Sequence, residues 1–427
     1  MRATQVLQRC LSDALAPMHA GRCAALLKAT EALLAGRRLT LMDVARSWPG
    51  AERVRAPLKA FDRLLSNRHL HAERLSLHTA MAVWLLRQPQ PVIVVDGCDL
   101  KADRSQHLLR AAVAMGGRTL TLLDAVFPDG MQGSPVAEKQ FLGQLATLIP
   151  AGCTPILVTD AGFRAPWFRQ VEAMGWHWLG RLRHRTLVKP ETETLPEDWV
   201  PCKALYALAR ATPRDLGRMH IVRNAPMVAR TVLHARPPRH RTSRTRHGQR
   251  RRSKSSLQSA AREREPWLLV ASPALEALTP GQLIGLYARR MQIELAFRDL
   301  KSHRYGHAFE DSLTRKGSRI EILLLIQTLA AFASWLVGMA CEREGIDRRL
   351  NPRHSTRRLY SVVRLGREAL VRGWLDGTVK QLLDQLRHPP QHCENNWSCQ
   401  REFVGIPQAP RWSMAPDQGN AHRMHAC

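Results

Sequence analysis

Acidic residues are scarce in this chain of 427 residues. It carries 36 Asp and Glu against 64 Lys and Arg, which gives a formal net charge of +28 at pH 7. Because the positive charge runs along the whole chain and is not confined to one amphipathic helix, it favours nucleic acid over a membrane surface as a partner. A basic ribosome-associated or chaperone-like protein is the alternative that composition leaves open.

Paired cysteine motifs are also absent. The nine Cys residues are odd in number and irregularly spaced, and no Cys-x2-Cys pair occurs, which disfavours a zinc finger and a disulfide framework. Residues 1–20 contain no continuous apolar core of the kind found in secretory signals. We therefore expect a reducing, cytoplasmic location.

Long apolar runs are limited to one segment. Ile322–Cys341 is interrupted only by Gln327, Thr328 and Ser334, and its 20 residues are enough to cross a bilayer. Charged sequence lies on both sides of it, and the sequence offers no second span. We therefore predict a helix buried in a globular core and no membrane partner.

The N-terminal part, residues 1–88, is predicted to be a helical domain. Apolar residues recur there at helical spacing, and short helices are predicted at Leu39–Ser47 and Ala56–Leu65. Lys59 and Arg63 lie one turn apart on the exposed side of the second helix. Short helices with exposed basic residues suit a helix-turn-helix-like DNA reader, but a helical bundle with a solvated face fits about equally well.

From Pro91 onward the apolar residues follow the spacing of strands. Strands are predicted at Val92–Asp96, Leu109–Met115, Thr119–Phe127, Pro155–Thr159 and Trp176–Leu182. Helices are predicted between the third and fourth strands and between the fourth and fifth. This order matches an α/β fold with a ribonuclease-H-like mixed sheet of five strands. In such a sheet the first strand is central and lies beside the fourth.

The remaining boundaries follow from changes in composition. Residues 184–272 are interpreted as a β-rich insertion within a catalytic domain of residues 89–310. Inside the insertion, Arg236–Arg264 is dense in Lys and Arg and is predicted to be disordered or to track phosphates. A helical region for core packing and dimerisation follows at 311–390. The tail, 391–427, is predicted to be poorly ordered.

Three acidic residues lie where a metal-dependent nuclease site would need them. Asp96 and Asp160 each end an apolar strand, and Glu294 lies on a helical pattern further along. Two strand-end carboxylates and one helix carboxylate can converge on two divalent metals, the usual arrangement for in-line attack on a phosphodiester. The pattern predicts these three residues as catalytic groups and metal ligands. Three nearby acids are assigned to surface or turn roles: Asp99, Asp103 and Asp124.

The sequence around Glu294 contains further polar residues at helical spacing. Four of them fall within roughly 60° of one another on a helical wheel: Tyr287, Arg290, Glu294 and Lys301. They border an apolar sector, so this stripe can face the sheet, and its basic residues can hold phosphates beside the carboxylates. Taken alone, the stripe fits an ordinary amphipathic helix with a solvated charge stripe better than it fits a functional site.

These same four residues fit, without a gap, the YREK signature of the insertion-sequence-four family of bacterial DDE transposases. Three other segments resemble the family's first-Asp region, its second-Asp region and the strand before the signature helix: Val94–Leu100, Thr159–Trp167 and Glu265–Ala271. The resemblance runs from about residue 20 to about residue 370. It is closest to the cut-and-paste enzymes of composite antibiotic-resistance transposons.

The resemblance implies a transposase with a defined reaction sequence. Asp96, Asp160 and Glu294 would hold two Mg²⁺ ions, with Mn²⁺ able to substitute. Members of the family nick the transposon end, form a hairpin with the freed 3′-hydroxyl, reopen the hairpin and join the end to target DNA. The implied location is the bacterial cytoplasm, in association with the nucleoid.

The resemblance also implies DNA contacts and partners. Trp267 would stack on a flipped base, while Tyr287, Arg290 and Lys301 would grip the flanking phosphates. The implied partners are double-stranded DNA, at the terminal inverted repeats and at the target, and a second copy of the chain in a synaptic dimer. Two alternatives stay open: a ribonuclease-H-like nuclease or integrase, and a catalytically silent DNA-binding relic.

Overall fold

The computed structural model describes most of the chain. The residues described are 2–183, 186–193, 195, 198–236, 249, 252–304, 306–350, 359–374 and 381. The tail predicted to be poorly ordered, 391–427, lies outside them. Positions 237–248, 250 and 251 of the basic run also lie outside them, so the predictions for these segments stay predictions.

Six helices form the N-terminal part, as the apolar spacing predicted. They are α1 (Ala3–Cys10), α2 (Ser12–Leu15), α3 (Ala20–Gly36), α4 (Leu41–Arg46), α5 (Arg55–Leu65) and α6 (Arg68–Leu85). Thr40 and Asn67 cap α4 and α6 by accepting hydrogen bonds from backbone N–H groups of the first turn. Phe61 of α5 is buried, whereas Lys59 and Arg63 are exposed. The apolar face of α5 therefore anchors it and leaves a basic face in solvent.

Five strands form the half of the sheet that the sequence predicted. They are β1 (Val92–Asp99), β2 (Gln106–Ala114), β3 (Thr119–Pro128), β4 (Ile156–Thr159) and β5 (His177–Leu182), with α7 (Pro135–Ala146) and α8 (Ala165–Ala173) between β3, β4 and β5. Their order is β3-β2-β1-β4-β5, and β1 runs parallel to β4. This arrangement confirms the ribonuclease-H-like prediction. Val95 lies opposite Thr159, so Asp96 and Asp160 follow at the same edge of the sheet.

The insertion extends this sheet and does not form a separate layer. Its elements are β6 (Leu187–Pro190), β7 (Val200–Pro201), β8 (Arg214–Ile221), β9 (Met227–His234), α9 (Lys254–Arg264) and β10 (Trp267–Ala271). The described strands form a ten-stranded sheet, in which β5 is followed by β10-β9-β8-β6-β7. The sequence predicted a sheet of five strands, in which β5 is the last strand before the insertion. In the fold, β10 pairs with the open edge of β5 and satisfies its backbone groups.

Two helices replace the single helix predicted through Tyr287–Lys301. Helix α10 (Pro280–Arg289) begins with a capping box formed by Thr279 and Gln282, and α11 (Met291–Lys301) follows it. Between them, the backbone N–H of Arg290 bonds to the carbonyl of Tyr287, three residues earlier, at 3.1 Å. This tighter turn interrupts the helical ladder. The predicted single helix is therefore two helices, although Arg290 keeps helical backbone angles and pairs with Glu294 one turn further on, as the helical wheel predicted.

Helix α12 (Gly317–Arg343) is the central helix of the core. It contains the apolar segment Ile322–Cys341 and packs against α3, α6, β3 and α13 (Val362–Arg372). Among the described residues it is the one helix long and apolar enough to cross a membrane, and 83% of its most apolar window is buried. The prediction of a core helix is confirmed, because the apolar surface is covered by protein.

The contact between α12 and α13 requires glycine. A Cβ atom at Gly366 would lie 1.7 Å from the carbonyl oxygen of Ser334 and 2.4 Å from the backbone nitrogen of Gly338. We expect Gly366→Ala to push the two helices apart and to lower the free energy of unfolding by about 1–3 kcal/mol. Urea denaturation followed by circular dichroism measures this change.

Gly143 of α7 provides the matched control. A Cβ atom there meets nothing within 4 Å. Gly143→Ala is expected to raise the free energy of unfolding by up to about 1 kcal/mol, because alanine has the higher helix propensity. Equal stability of the two alanine variants would show that the close approach of α12 and α13 does not constrain Gly366.

Candidate active site

The two strand-end aspartates lie together at one edge of the sheet. Asp96 is on β1, and its Oδ1 accepts a hydrogen bond from the backbone N–H of Gly97 at 2.8 Å. Asp160 directly follows β4, and its Oδ1 accepts from the N–H of Gly162 at 2.7 Å. Local backbone donors thus orient both carboxylates, and the parallel pairing of β1 with β4 places them side by side.

Arg290 connects Asp96 to Glu294. Its Nη1 donates to Oδ2 of Asp96 at 2.7 Å, and its Nη2 donates to Oε1 of Glu294 at 2.8 Å. The side chains of Arg290 and Asp96 are only 10% and 13% exposed, whereas that of Glu294 is 42% exposed. One guanidinium group therefore bridges the β1 carboxylate and the α11 carboxylate in a largely buried position.

The electrostatics of Asp96 reflect this crowding of acids. Burial raises the pKa of Asp96 to about 7, the Arg290 guanidinium counteracts that increase, and the carboxylates of Asp160 and Glu294 add to it. Desolvation and neighbouring negative charge both disfavour the ionised form of a carboxylic acid. A cation close to Asp96 therefore stabilises the site, and in this structure that cation is Arg290.

The donor set suits a hard divalent cation. Asp96, Asp160 and Glu294 offer carboxylate oxygens, which Mg²⁺ and Mn²⁺ prefer. In the part of the chain that the structure describes, no three His, Cys, Asp or Glu side chains already form a metal-binding group, and the Arg290 guanidinium lies between two of these acids. The residues fit a metal by their chemistry, provided that Arg290 moves away.

Trp267 and Tyr287, both predicted to contact DNA, are in contact with each other. Their rings meet edge to face with centroids 4.8 Å apart, and both side chains are buried. The guanidinium of Arg236 lies 4.2 Å from the centroid of the Trp267 ring. A base could stack on Trp267 only after Arg236 moves from that ring.

Lys301 contacts the end of β1, the strand that carries Asp96. It is in the last turn of α11, and its Nζ donates a hydrogen bond to the backbone carbonyl of Asp99 at the end of β1. The structure thus brings Lys301 to the strand that carries Asp96, but the lysine does not form an ion pair with any of the three predicted metal ligands.

Two arginines beside Tyr287 were not among the predicted site residues. Arg181, in β5, donates to the backbone carbonyls of Glu265 and Pro266 at 3.2 and 3.0 Å. Arg183 pairs with the Glu265 carboxylate at 3.4 Å. The signal for them was an Arg-x-Arg pair at the end of a predicted strand, which becomes meaningful only when β10 is placed beside β5.

Arg110 and Asp124 form a buried ion pair beneath the site. Arg110 of β2 donates through Nε and Nη2 to the two Asp124 oxygens, each at 2.7 Å, and both side chains are almost fully buried. Arg110 also lies opposite Asp96 in the sheet and under the ring of Phe297 from α11. The surface or turn role predicted for Asp124 is wrong, because cross-strand pairing to Arg110 offsets the cost of its burial.

The comparison with known proteins identifies the family of this chain. The family model described as the transposase DDE domain matches residues 87–332, more than half of the chain. The matched region contains β1, β4 and α11, and so includes Asp96, Asp160 and Glu294. No protein of curated function is similar enough in sequence to match. From the length of the family match and the acids that it includes, we conclude that this chain belongs to the DDE transposase family.

Proposed function

We propose that this protein is a cut-and-paste transposase of the YREK-signature, insertion-sequence-four type. The observation that carries the proposal is the convergence of Asp96, Asp160 and Glu294. The first two are set side by side by the pairing of β1 with β4, and the third is joined to Asp96 through Arg290. Membership of the DDE transposase family supports the same chemistry.

The three carboxylates would hold two Mg²⁺ ions, or Mn²⁺ in their place. DDE transposases generally use divalent ions, which activate the attacking water or 3′-hydroxyl and stabilise the leaving oxygen of a phosphodiester. The role of the chain is to orient its ligands. Backbone N–H groups of Gly97 and Gly162 hold Asp96 and Asp160, and α11 holds Glu294 at the same edge of the sheet.

The basic residues around the carboxylates would bind the DNA end. Arg290 and Lys301 would contact phosphates, because guanidinium and ammonium groups pair with them through charge-assisted hydrogen bonds, and Tyr287 would contact them through its hydroxyl group. Trp267 would stack on a flipped base during hairpin formation, once Arg236 leaves its ring. Stacking on an aromatic ring offsets the unstacking that a hairpin requires.

The helices of residues 1–88 would recognise the terminal inverted repeat. Lys59 and Arg63 of α5 and Arg68 of α6 are exposed and would supply positive charge for contacts with DNA phosphates. We further propose that the protein acts as a dimer in a synaptic complex on transposon and target DNA, in the bacterial cytoplasm. Residues 311–390 would contribute to core packing and to that dimer.

The direct test uses a labelled duplex that carries the DNA end flanking the protein's own gene. Purified protein with Mg²⁺ is expected to nick this end and convert it into a hairpin, and to leave a shuffled duplex uncut. Binding without cutting would favour a silent relic, which the Arg290 bridge between two catalytic acids would then explain. Cutting both duplexes alike would favour a nuclease without end recognition.

A further inference from the structure

Arg290 lies between two of the carboxylates that would hold metal, those of Asp96 and Glu294. Each of its two terminal nitrogens donates to one of these carboxylates, at 2.7 and 2.8 Å. We propose that Arg290 is an exchangeable internal counter-ion, which holds the carboxylates until a DNA phosphate draws it away and thereby opens the site to metal. This inference rests on the proposed function and adds a mode of regulation to the same site.

The first step of the argument concerns competition for the same oxygen atoms. Oδ2 of Asp96 and Oε1 of Glu294 accept from the guanidinium, and these oxygens are among the proposed metal ligands. A divalent cation bound to these oxygens would lie close to the guanidinium, and repulsion between the two positive groups makes them compete for the carboxylates. Metal binding in the absence of DNA therefore works against the Arg290 bridge.

The second step concerns the cost of leaving the carboxylates unpaired. Asp96 is largely buried and lies close to two other acids. A buried carboxylate without a partner is strongly destabilising. The guanidinium thus supports the folded, DNA-free protein, and displacement becomes favourable only when another cation takes its place and another anion receives the arginine.

The third step concerns the ability of Arg290 to move. It lies at the break between α10 and α11, and its partner Glu294 is half-exposed. Its Nε is buried and makes no hydrogen bond to the residues that the structure describes. A phosphate offers several acceptor oxygens and would satisfy this donor together with the terminal nitrogens.

Thermodynamic linkage then gives the functional consequence. If phosphate binding releases the carboxylates for metal, metal binding must strengthen DNA binding by the same factor. The DNA-free protein would bind metal weakly and would not assemble a hydrolytic site. Metal loading would be confined to protein that already holds DNA.

The first experiment measures Mn²⁺ binding to the DNA-free, full-length protein by isothermal titration calorimetry. Arg290→Gln is expected to bind Mn²⁺ about tenfold more tightly than the natural protein, a change that corresponds to about 1.4 kcal/mol. Arg290→Lys keeps the charge but lacks the planar guanidinium fork that holds both carboxylates, so an intermediate affinity is expected. Lys301→Gln is the matched control: it removes a nearby cation that pairs with a backbone carbonyl, and less than a twofold change is expected.

The second experiment measures duplex DNA binding by fluorescence anisotropy, with Ca²⁺ or EDTA at constant ionic strength. Ca²⁺ is expected to tighten DNA binding of the natural protein about tenfold, and that of Arg290→Gln less than twofold. Thermal melting is followed in parallel. Arg290→Gln is expected to be less stable without metal and to be stabilised more by Mn²⁺ than the natural protein is, whereas a merely structural arginine would show only the loss of stability.

Three results would overturn the exchange. They are equal or weaker Mn²⁺ binding by Arg290→Gln, equal tightening in Lys301→Gln, and an equal effect of Ca²⁺ on DNA binding in both proteins. The cutting assay on the flanking DNA end is scored separately. Cutting without these differences in metal binding would leave the transposase proposal standing and remove the exchange. The differences in metal binding without cutting would leave the exchange standing and remove the transposase proposal.

Discussion

Asp160→Asn is expected to reduce cutting of the flanking DNA end by roughly 10³-fold or more, which is about 4 kcal/mol of transition-state stabilisation. The substitution keeps an oxygen that can accept the hydrogen bond from Gly162 at 2.7 Å. It removes the negative charge and the second carboxylate oxygen, which are what a metal ion needs. DNA binding and thermal stability are therefore expected to stay close to those of the natural protein.

Asp103→Asn is a close control for this substitution. Asp103 also accepts a hydrogen bond from the backbone N–H two residues later, that of Ser105 at 3.0 Å, but it is exposed and has a turn role. Less than a twofold change in cutting is expected from it. Rates are measured in single-turnover assays on labelled duplex, and Asp160→Asn protein that cuts within tenfold of the natural rate would remove Asp160 from the catalytic set.

Asp124→Leu is expected to lower the free energy of unfolding by about 3–5 kcal/mol. The substitution leaves the Arg110 guanidinium buried without its two hydrogen bonds from Nε and Nη2. Arg110 also supports the Phe297 ring of α11, so the loss is expected to weaken the attachment of the helix that carries Glu294. Urea denaturation, followed by both fluorescence and circular dichroism, measures the effect.

The double variant Arg110→Met with Asp124→Leu separates the buried pair from the packing around it. An apolar pair of similar volume is expected to recover most of the lost stability, because neither buried charge then lacks a partner. Glu191→Gln, in the exposed pair with Arg218, is expected to cost less than about 1 kcal/mol. The buried-pair interpretation does not survive if the double variant is no more stable than Asp124→Leu alone.

The core strands and the two aspartates were predictable because their signals are local. Alternating or continuous apolar residues define β1 to β5, and an acid at the end of such a run marks an edge of the sheet. The basic charge on α5 was likewise readable from helical spacing. In contrast, the sequence did not show the break between α10 and α11 at Arg290, whose side chain bonds to Asp96, 194 residues away in sequence.

Several features of the site depend on contacts between distant segments. The pairing of Arg110 with Asp124 joins two adjacent strands that each appear apolar in sequence. The edge strand β5 gains β10 as a neighbour, and this pairing brings Arg181 close to Tyr287. Sequence spacing carries no information about such contacts, since they are set by strand register and by which edge of the sheet is open.

By itself, the sequence determined the five strands of the core sheet, the buried core helix and the strand-end positions of Asp96 and Asp160. Each of these rests on the periodicity of apolar residues or on residue type at a strand end. Only the tertiary structure decided how the acids are neutralised, because Arg290 reaches Asp96 and Glu294 through a break in a helix that packs against β1. A buried charge requires a partner, and the fold selects that partner by geometry.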